Sequence, residues 1–330
     1  MSDVTVVVPS WNRRDLLERL LEHLGRQTHR IEDVLVVDNG STDGSAELAA
    51  SRGARVIEMG SNAGFCAAVN QGIRETRTPW VAVVNNDVEP APEWLASLLA
   101  AAQQPGVWFA TGKLLSASKR DFVDGAYDTV CRGGCSWRAG HGRPDGPEWD
   151  EPRAVRFVPF TAALFRTELF QAVGLLDERF ESYLEDVDFG LRCAMKGHGG
   201  VYVPGALASH IGSATLGAWH PEMVRRIARN QVLLIAKHYP RRRMIRYGWP
   251  IAVAQALWGL LALRHGAGWA FLRGKVEALR QLRTFGPPEW VGSAESERLG
   301  TILEKSELEL FELQRRTGFD FYWRLYFALT

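Results

Sequence analysis

VVVPSWN, residues 6–12, is an apolar β-branched run that halts at Pro9, Ser10, Trp11 and Asn12. A strand that is apolar on both faces belongs to a parallel sheet covered by helices. The same design recurs in VVDNGSTDGS (36–45), ending in Asp38-Asn39-Gly40, and in VVNNDV (83–88), ending in Asn85-Asn86-Asp87. Sheets of this kind bind ligands beyond the carboxyl ends of their strands, which is where these polar residues fall.

Working outward, strand and helix alternate through the first half. After the strand Val4–Val8, Leu16, Leu17, Leu20, Leu21 and Leu24 mark one helical face. Val34–Val37 and Ala54–Met59 read as the next strands. Ser61–Gly64 then leads into a helix over Phe65–Glu75, Trp80–Val84 is a fourth strand, and a helix begins near Pro92. This order predicts right-handed βαβ units in a doubly wound α/β sheet. From Gly112 to Pro152 the pattern dissolves into a glycine-rich loop layer. Arg138, His141 and Arg143 in that layer are candidates for an acceptor phosphate, or simply solvated. Order returns at Val155–Phe160, a helix over Thr167–Val173, and a strand at Gly200–Pro204.

A net charge of +1 over 330 residues gives no global case for nucleic-acid binding. Met1–Val8 runs straight into a strand without a basic leader, and the four cysteines are scattered, so a reducing cytosol is expected. Cys131 and Cys135 have the spacing of half a zinc site, but no second pair accompanies them.

Beyond His220 the character changes. Met223–Tyr239 is a basic helix, followed by Arg241-Arg242-Arg243 and the apolar run Trp249–Leu263. As a helix that run spans about 22 Å, against about 30 Å for a hydrocarbon core. It is too short to cross a bilayer. With Arg246 and Arg264 beside it, it suits either the membrane interface or a core or subunit contact. Gly268–Arg283 interleaves apolar and basic residues, and Phe319–Phe327 is dense in aromatics.

Asp87 follows a strand, where a carboxylate reaches a divalent cation between two phosphates; Asn and Asp also favour plain turns. Asp38 ends a strand in the same way and can accept from a base N–H or a ribose hydroxyl, while Ser41–Asp43 suit helix capping. Glu185, Asp186 and Asp188 crowd a helix start, which favours negative charge on any account. Asp188 and Arg192 have ion-pair spacing, so Asp188 reads as structural; Glu185 and Asp186 suit the helix terminus, and the sharper reading makes Asp186 a general base. His210 follows a strand-like segment and is either a second metal ligand or a satisfied surface histidine.

In this order the segments resemble the inverting family 2 glycosyltransferases, and within them the bacterial rhamnosyltransferase-type enzymes of cell-surface polysaccharide synthesis. The match covers about residues 3–215. It rests on VVPSWNR, Gln27-Thr28, VVDNGSTDGS, NAGFCAAVNQGI (62–73), VVNNDV, VGLLDERFESYLEDVDFGLR (173–192) and His210. The resemblance implies a GT-A fold with a mostly parallel sheet, helices on both faces and a helical C-terminal extension. It divides the chain into a catalytic domain, 1–218, and an extension, 219–330, serving a membrane interface or a homo-oligomer. It implies that Pro9, Ser10, Asn12 and Asp38 hold the nucleotide of a diphosphate-sugar donor, with Asn62 and Gly64 shaping the pocket. Asn85 and Asn86 would precede Asp87 in the metal motif, with His210 completing a Mg2+ or Mn2+ site. Asp186, paired with Glu185, would be the base for displacement with inversion. The expected enzyme is thus a metal-dependent transferase, with dTDP-rhamnose as donor and a glycan or polyprenyl-linked hydroxyl as acceptor. It would be cytoplasmic and peripheral on the inner face of the membrane. Transfer from a UDP-hexose or UDP-galactofuranose, or a non-catalytic nucleotide-sugar-binding relative, are the alternatives. One departure stands out: a small-residue turn usual before the Arg-containing helix reads Phe160-Thr161-Ala162-Ala163 here, which bears on acceptor geometry.

Overall fold

The computed structural model describes residues 3–212, 219–282, 290 and 292–330. Its strands are β1 (Val4–Ser10), β2 (Asp33–Asp38), β3 (Arg55–Glu58), β4 (Trp80–Val84), β5 (Val88–Pro90), β6 (Val107–Ser116), β7 (Phe122–Gly125), β8 (Asp128–Val130), β9 (Ser136–Arg138), β10 (Arg143–Pro144), β11 (Arg153–Val155), β12 (Ala162–Arg166) and β13 (Gly199–His210). Its helices are α1 (Arg14–Leu24), α2 (Ser45–Ser51), α3 (Phe65–Glu75), α4 (Trp94–Ala102), α5 (Thr167–Val173), α6 (Glu185–Lys196), α7 (Pro221–His238), α8 (Arg241–Arg246), α9 (Gly248–Arg264), α10 (Gly268–Gln281), α11 (Ser293–Thr317) and α12 (Phe321–Leu329).

The chain divides into two compact units, Met1–Tyr127 with Gly140–Thr215, and Asp128–Ala139 with Leu216–Thr330. The sequence reading placed one boundary after residue 218, which lies outside the described residues, as do Ser213 and Arg283. It did not anticipate that the β8–β9 hairpin belongs with the C-terminal helices. Polar contacts hold it there: Val130 N–H donates to Ser306 Oγ at 2.8 Å, and the Arg132 guanidinium meets Glu307 Oε1 at 2.6 Å.

In the first unit the main sheet runs β10-β7-β6-β12-β4-β1-β2-β3, with β11, β13 and β5 joined off that path. The half β4-β1-β2-β3 is parallel throughout, as the apolar runs predict. Beyond β4 the sheet is mixed: β12 is antiparallel to both β4 and β6, and only β13 with β6 is parallel. Connections of a few residues, such as that between β6 and β7, close hairpins and are too short for a parallel crossover.

Alternation along β1 explains the layers. Val4, Val6 and Val8 pack in one cluster with Leu17 and Leu20 of α1 and Trp94 and Leu98 of α4. Val7 points to the opposite face, against α3, where a Cβ on Gly72 would come within 2.3 Å of Val7 Cγ1. The period of two thus feeds helices on both faces.

Several strands lie where the sequence predicts loop or turn: β7, β8, β9 and β10 all fall within the expected loop layer, and β5, β6 and β12 are likewise unanticipated. Residues 107–116, whose second half overlaps the loop layer expected from Gly112, form the ten-residue strand β6. Gly112 sits inside it because β13 bulges towards it between Val203 and Leu207, and a Cβ there would lie 1.9 Å from the Ala206 carbonyl oxygen. Ala162 and Ala163, read as a turn, begin β12 and pair with Val84 and Val83.

The second unit is the β8–β9 hairpin and six helices, α7–α12, among the described residues. Cys131 and Cys135 face each other across the hairpin end as buried free thiols. Within α9 the apolar run is partly core: Pro250, Val253, Ala254, Leu257 and Ala262 are buried. No described helix is long and apolar enough to cross a membrane.

Candidate active site

Parallel register aligns the ends of three strands. Ser10 pairs with Asp38, and β4 lies on the other side of β1, so Asn85-Asn86-Asp87 emerges at the same edge. Asn39 N–H donates to the Ser10 carbonyl (2.8 Å), and Asn86 Nδ2 donates to Ser10 Oγ (3.3 Å). Asn85 N–H donates to the Thr161 carbonyl (2.8 Å). The segment that departs from the family pattern therefore anchors the acidic motif by its backbone.

After β1 the chain turns sharply through Asn12 and Arg13, both left-handed with φ of 54° and 59°. The turn is held from the β2 end: Asn12 N–H donates to Ser41 Oγ (2.7 Å), and Thr42 N–H donates to Asn12 Oδ1 (3.0 Å). Asp38 Oδ2 accepts from Ser41 N–H at 2.9 Å, while its Oδ1 is buried with no protein hydrogen bond. Asp43 is structural, accepting from Arg14 N–H and from the Ser45 hydroxyl. Asn39, not singled out from sequence, ties this loop to the next: its Nδ2 donates to Asn62 Oδ1 and to the Gly64 carbonyl, both at 3.1 Å.

Gly64 (φ 91°) then hands the chain to α3. Cys66 N–H donates to the Glu181 carbonyl (3.0 Å), and buried Asn70 bonds both the backbone of Leu176 and the side chain of Glu178. The 62–73 motif thus docks the loop that enters α6. In that loop Glu181, Tyr183 and Leu184 all have positive φ. Such backbone is worth of order 1 kcal/mol or more of strain per residue and marks a segment held in place by its surroundings. It delivers Glu185, buried, and Asp186, half-buried, to the first turn of α6. Asp186 Oδ1 accepts from Val187 N–H at 2.8 Å. Asp188 behaves as its spacing suggests: fully buried, it pairs with Arg192 at 2.9 Å, and Arg192 also donates to the carbonyls of Val173, Gly174 and Leu175.

At the far side of Asp87, β5 pairs antiparallel with the end of β13, His210 opposite Val88. That brings His210 Nε2 to 3.4 Å from Asp87 Oδ2. His210 Nδ1 donates to Asp124 Oδ2 at 2.7 Å. Burial alone would lower the imidazole's pKa, but hydrogen bonds to Asp124 and Asp87 outweigh it and raise it to about 9. Asp124 was not found from sequence. It sits in β7, inside the stretch that reads as loop, and no local signal connects it to residue 210. His141, a candidate from that stretch, lies against it, with Nδ1 2.9 Å from the Asp124 carbonyl oxygen. Arg138 belongs to the other unit, where it pairs with Asp128 at 3.3 Å.

The donor set fits a hard divalent cation. Asp87 Oδ1 and Asn85 Oδ1 are buried with no protein hydrogen bond, and the imidazole nitrogen facing Asp87 would become a donor once a bound cation displaced its proton. Among the described residues no cluster of three His, Cys, Asp or Glu is arranged to hold a metal by itself, so such a cation would need phosphate or water oxygens as well.

Comparison with known proteins identifies the family and the fold. Residues 5–174 match the family described as "Glycosyl transferase family 2". The chain is 33% identical over 239 residues to the N-acetylglucosaminyl-diphospho-decaprenol L-rhamnosyltransferase of Mycobacterium tuberculosis, covering 64% of this chain and 76% of that one. The mannosyltransferase PcManGT of Pyrobaculum calidifontis, solved with GDP-Man and Mn2+, aligns with a TM-score of 0.53 at 18% identity, over 98% of this chain and 86% of its own. GalNAc-T7, solved with UDP, GalNAc and Mn2+, aligns with a TM-score of 0.64 at 12% identity, over 96% and 58%. These two likenesses establish the GT-A fold.

Proposed function

Since the chain belongs to glycosyl transferase family 2 and is a glycosyltransferase, we propose that it moves rhamnose from dTDP-rhamnose to a hydroxyl of a lipid-linked glycan, with inversion, in cell-surface polysaccharide synthesis. The observation that carries this reading is the row of unbonded acceptor oxygens on Asp38, Asn85 and Asp87 at one sheet edge, closed by His210. The donor and acceptor classes rest on the mycobacterial relative, whose name specifies L-rhamnosyl transfer to a decaprenyl-linked acceptor.

In this reading Pro9, Ser10 and Asn12 form the floor under the nucleotide, and Asp38 Oδ1 accepts from the base or ribose. Asn62 and Gly64 keep the pocket wall in place through Asn39. Asp87, with His210, would hold Mg2+ or Mn2+ against the donor's diphosphate, and Asn85 and Asn86 line the approach. A divalent cation bound there neutralises charge on the diphosphate leaving group. Asp186 takes the proton from the acceptor hydroxyl as it attacks the anomeric carbon, and Glu185 supports the same helix terminus. A lipid-linked acceptor places the enzyme at a membrane surface.

The test is a transfer assay with dTDP-rhamnose, UDP-glucose, UDP-galactofuranose and GDP-mannose on a short polyprenyl-diphospho-sugar acceptor, with product configuration read by NMR. Product from dTDP-rhamnose alone, inverted at the anomeric carbon, supports the proposal. Product only from a UDP-sugar would move the donor assignment to the uridine alternatives.

A further inference from the structure

The second unit carries an apolar surface whose composition points to one kind of partner. On α10, Trp269, Leu272, Val276 and Leu279 recur at spacings of three and four, share one helical face and are exposed, Trp269 by 80%. The opposite face is the packed one. A Cβ on Gly274 would come 2.2 Å from the Arg225 carbonyl oxygen of α7, and Lys275 Nζ donates to the Ala228 carbonyl. Along its α9 edge, Phe271 stacks on Trp258, and a Cβ on Gly259 would meet the Phe271 ring at 2.9 Å. Leu260 and Leu263, exposed on α9, add to the apolar surface of the same hairpin.

Charge selects the occupant. Between residues 241 and 282 there are eight basic side chains and one acidic, Glu277. Glu277 is already engaged by Arg225 and Arg273. Arg264 and Arg280 are exposed beside the stripe. A two-fold contact with a second copy would set these arginines against their own equivalents with nothing acidic to answer them. An anionic lipid surface answers them directly, while tryptophan and leucine enter the headgroup boundary.

We infer that the outer face of the α9–α10 hairpin, built from Leu260, Leu263, Trp269, Leu272, Val276 and Leu279, docks on an anionic bilayer surface with the helices lying along it. This rests on, and deepens, the reading of a lipid-linked acceptor. It also relocates the membrane contact expected at Trp249–Leu263: five of those fifteen residues are core, and α10 supplies most of the exposed apolar face.

The experiment is vesicle co-sedimentation of the full chain, without donor or acceptor. Vesicles are phosphatidylcholine alone or phosphatidylcholine with about 30% phosphatidylglycerol, a charge density that attracts basic segments. The expected result is at least tenfold tighter binding to the anionic vesicles, weakened by salt. Leu272→Glu with Leu279→Glu should lose that binding while keeping the unfolding midpoint, because both side chains are exposed. Quenching of tryptophan emission by brominated lipid should fall in Trp269→Phe. Equal binding to both vesicles, or full binding by the double variant, would overturn the inference. So would absence of vesicle binding with a dimer that the double variant dissociates, which would assign the face to a second copy. Transfer to a water-soluble acceptor, run in parallel, separates the two claims. Transfer without vesicle binding removes the docking face alone, and vesicle binding without transfer removes the proposed reaction alone.

Discussion

His210 Nε2 lies 3.4 Å from Asp87 Oδ2 because His210 and Val88 are paired in register between β13 and β5. Two residues far apart in the chain are therefore fixed neighbours through backbone hydrogen bonds. The imidazole is oriented in turn by Asp124 Oδ2 at 2.7 Å.

Asp124 should accordingly tune a cation it does not touch. Groups that orient a metal-binding histidine are worth about 10–100-fold in metal affinity. Asp124→Asn is expected to weaken Mn2+ binding in the presence of dTDP by that factor, read by electron paramagnetic resonance of free Mn2+. Metal-free dTDP affinity should stay at the wild-type value. Unchanged Mn2+ affinity would reduce Asp124 to a structural residue.

How far the sequence carried the account depends on which residues lie close along the chain. β1, β4, α3 and α5 follow from apolar runs and helical spacing, and the observed ranges of α3 and β4 are Phe65–Glu75 and Trp80–Val84, as read. β6 was missed because Gly112 is small for reasons of close approach, which resembles a loop in composition, and β12 because Ala162-Ala163 carries no β-branched signal although it pairs with Val84 and Val83. Gln27 was visible as part of a motif, but its work was not: it donates to the Ala91 carbonyl and accepts from Leu95 N–H at the start of α4. Asp124 and Asn39 act through pairings that only the folded sheet creates.

Asp186→Asn separates chemistry from binding. General-base removal lowers rates by about 100–10,000-fold. The variant should lose transfer by that range with dTDP affinity intact, measured by turnover and calorimetry on the same preparation. Near-normal turnover would remove Asp186 as the base.

Gly40 has φ 80°, and a Cβ on it would lie 2.6 Å from Ser61 Cα. Gly40→Ala forces the Asp38 loop away from the Asn62 loop. Overpacking of this kind costs about 1–3 kcal/mol, visible as a lower urea midpoint, and nucleotide affinity should fall with it. An unchanged midpoint would mean the two loops are free to separate.

Lys275 gives a pH signature in the helical unit. Burial is the main cause that brings its pKa down to about 8, with the Cys135 thiol acting weakly in the other direction. Its ammonium also faces Gln231, Gln255 and the Ala228 carbonyl. Since the folded pKa lies below the unfolded value of 10.5, the unfolded chain binds more protons between them, so this group adds stability as pH rises through that window. Relative to the non-titrating Lys275→Met, the wild-type unfolding midpoint should therefore gain between pH 8 and 10.5. Below pH 8 the difference should be flat. A difference flat throughout would show Lys275 to be solvated.

Under the proposed function Asp38 and Asp87 form one nucleotide–metal site. Its most direct test is the unfolding midpoint of the wild type, Asp38→Ala and Asp87→Ala with dTDP, UDP and GDP, each with and without Mn2+. Ligand at 100 times its dissociation constant stabilises by about 2.7 kcal/mol. The account predicts a shift of that order for dTDP with Mn2+ in the wild type, lost in Asp38→Ala and reduced to the metal-free response in Asp87→Ala. The same shift in all three proteins, with or without Mn2+, would contradict it.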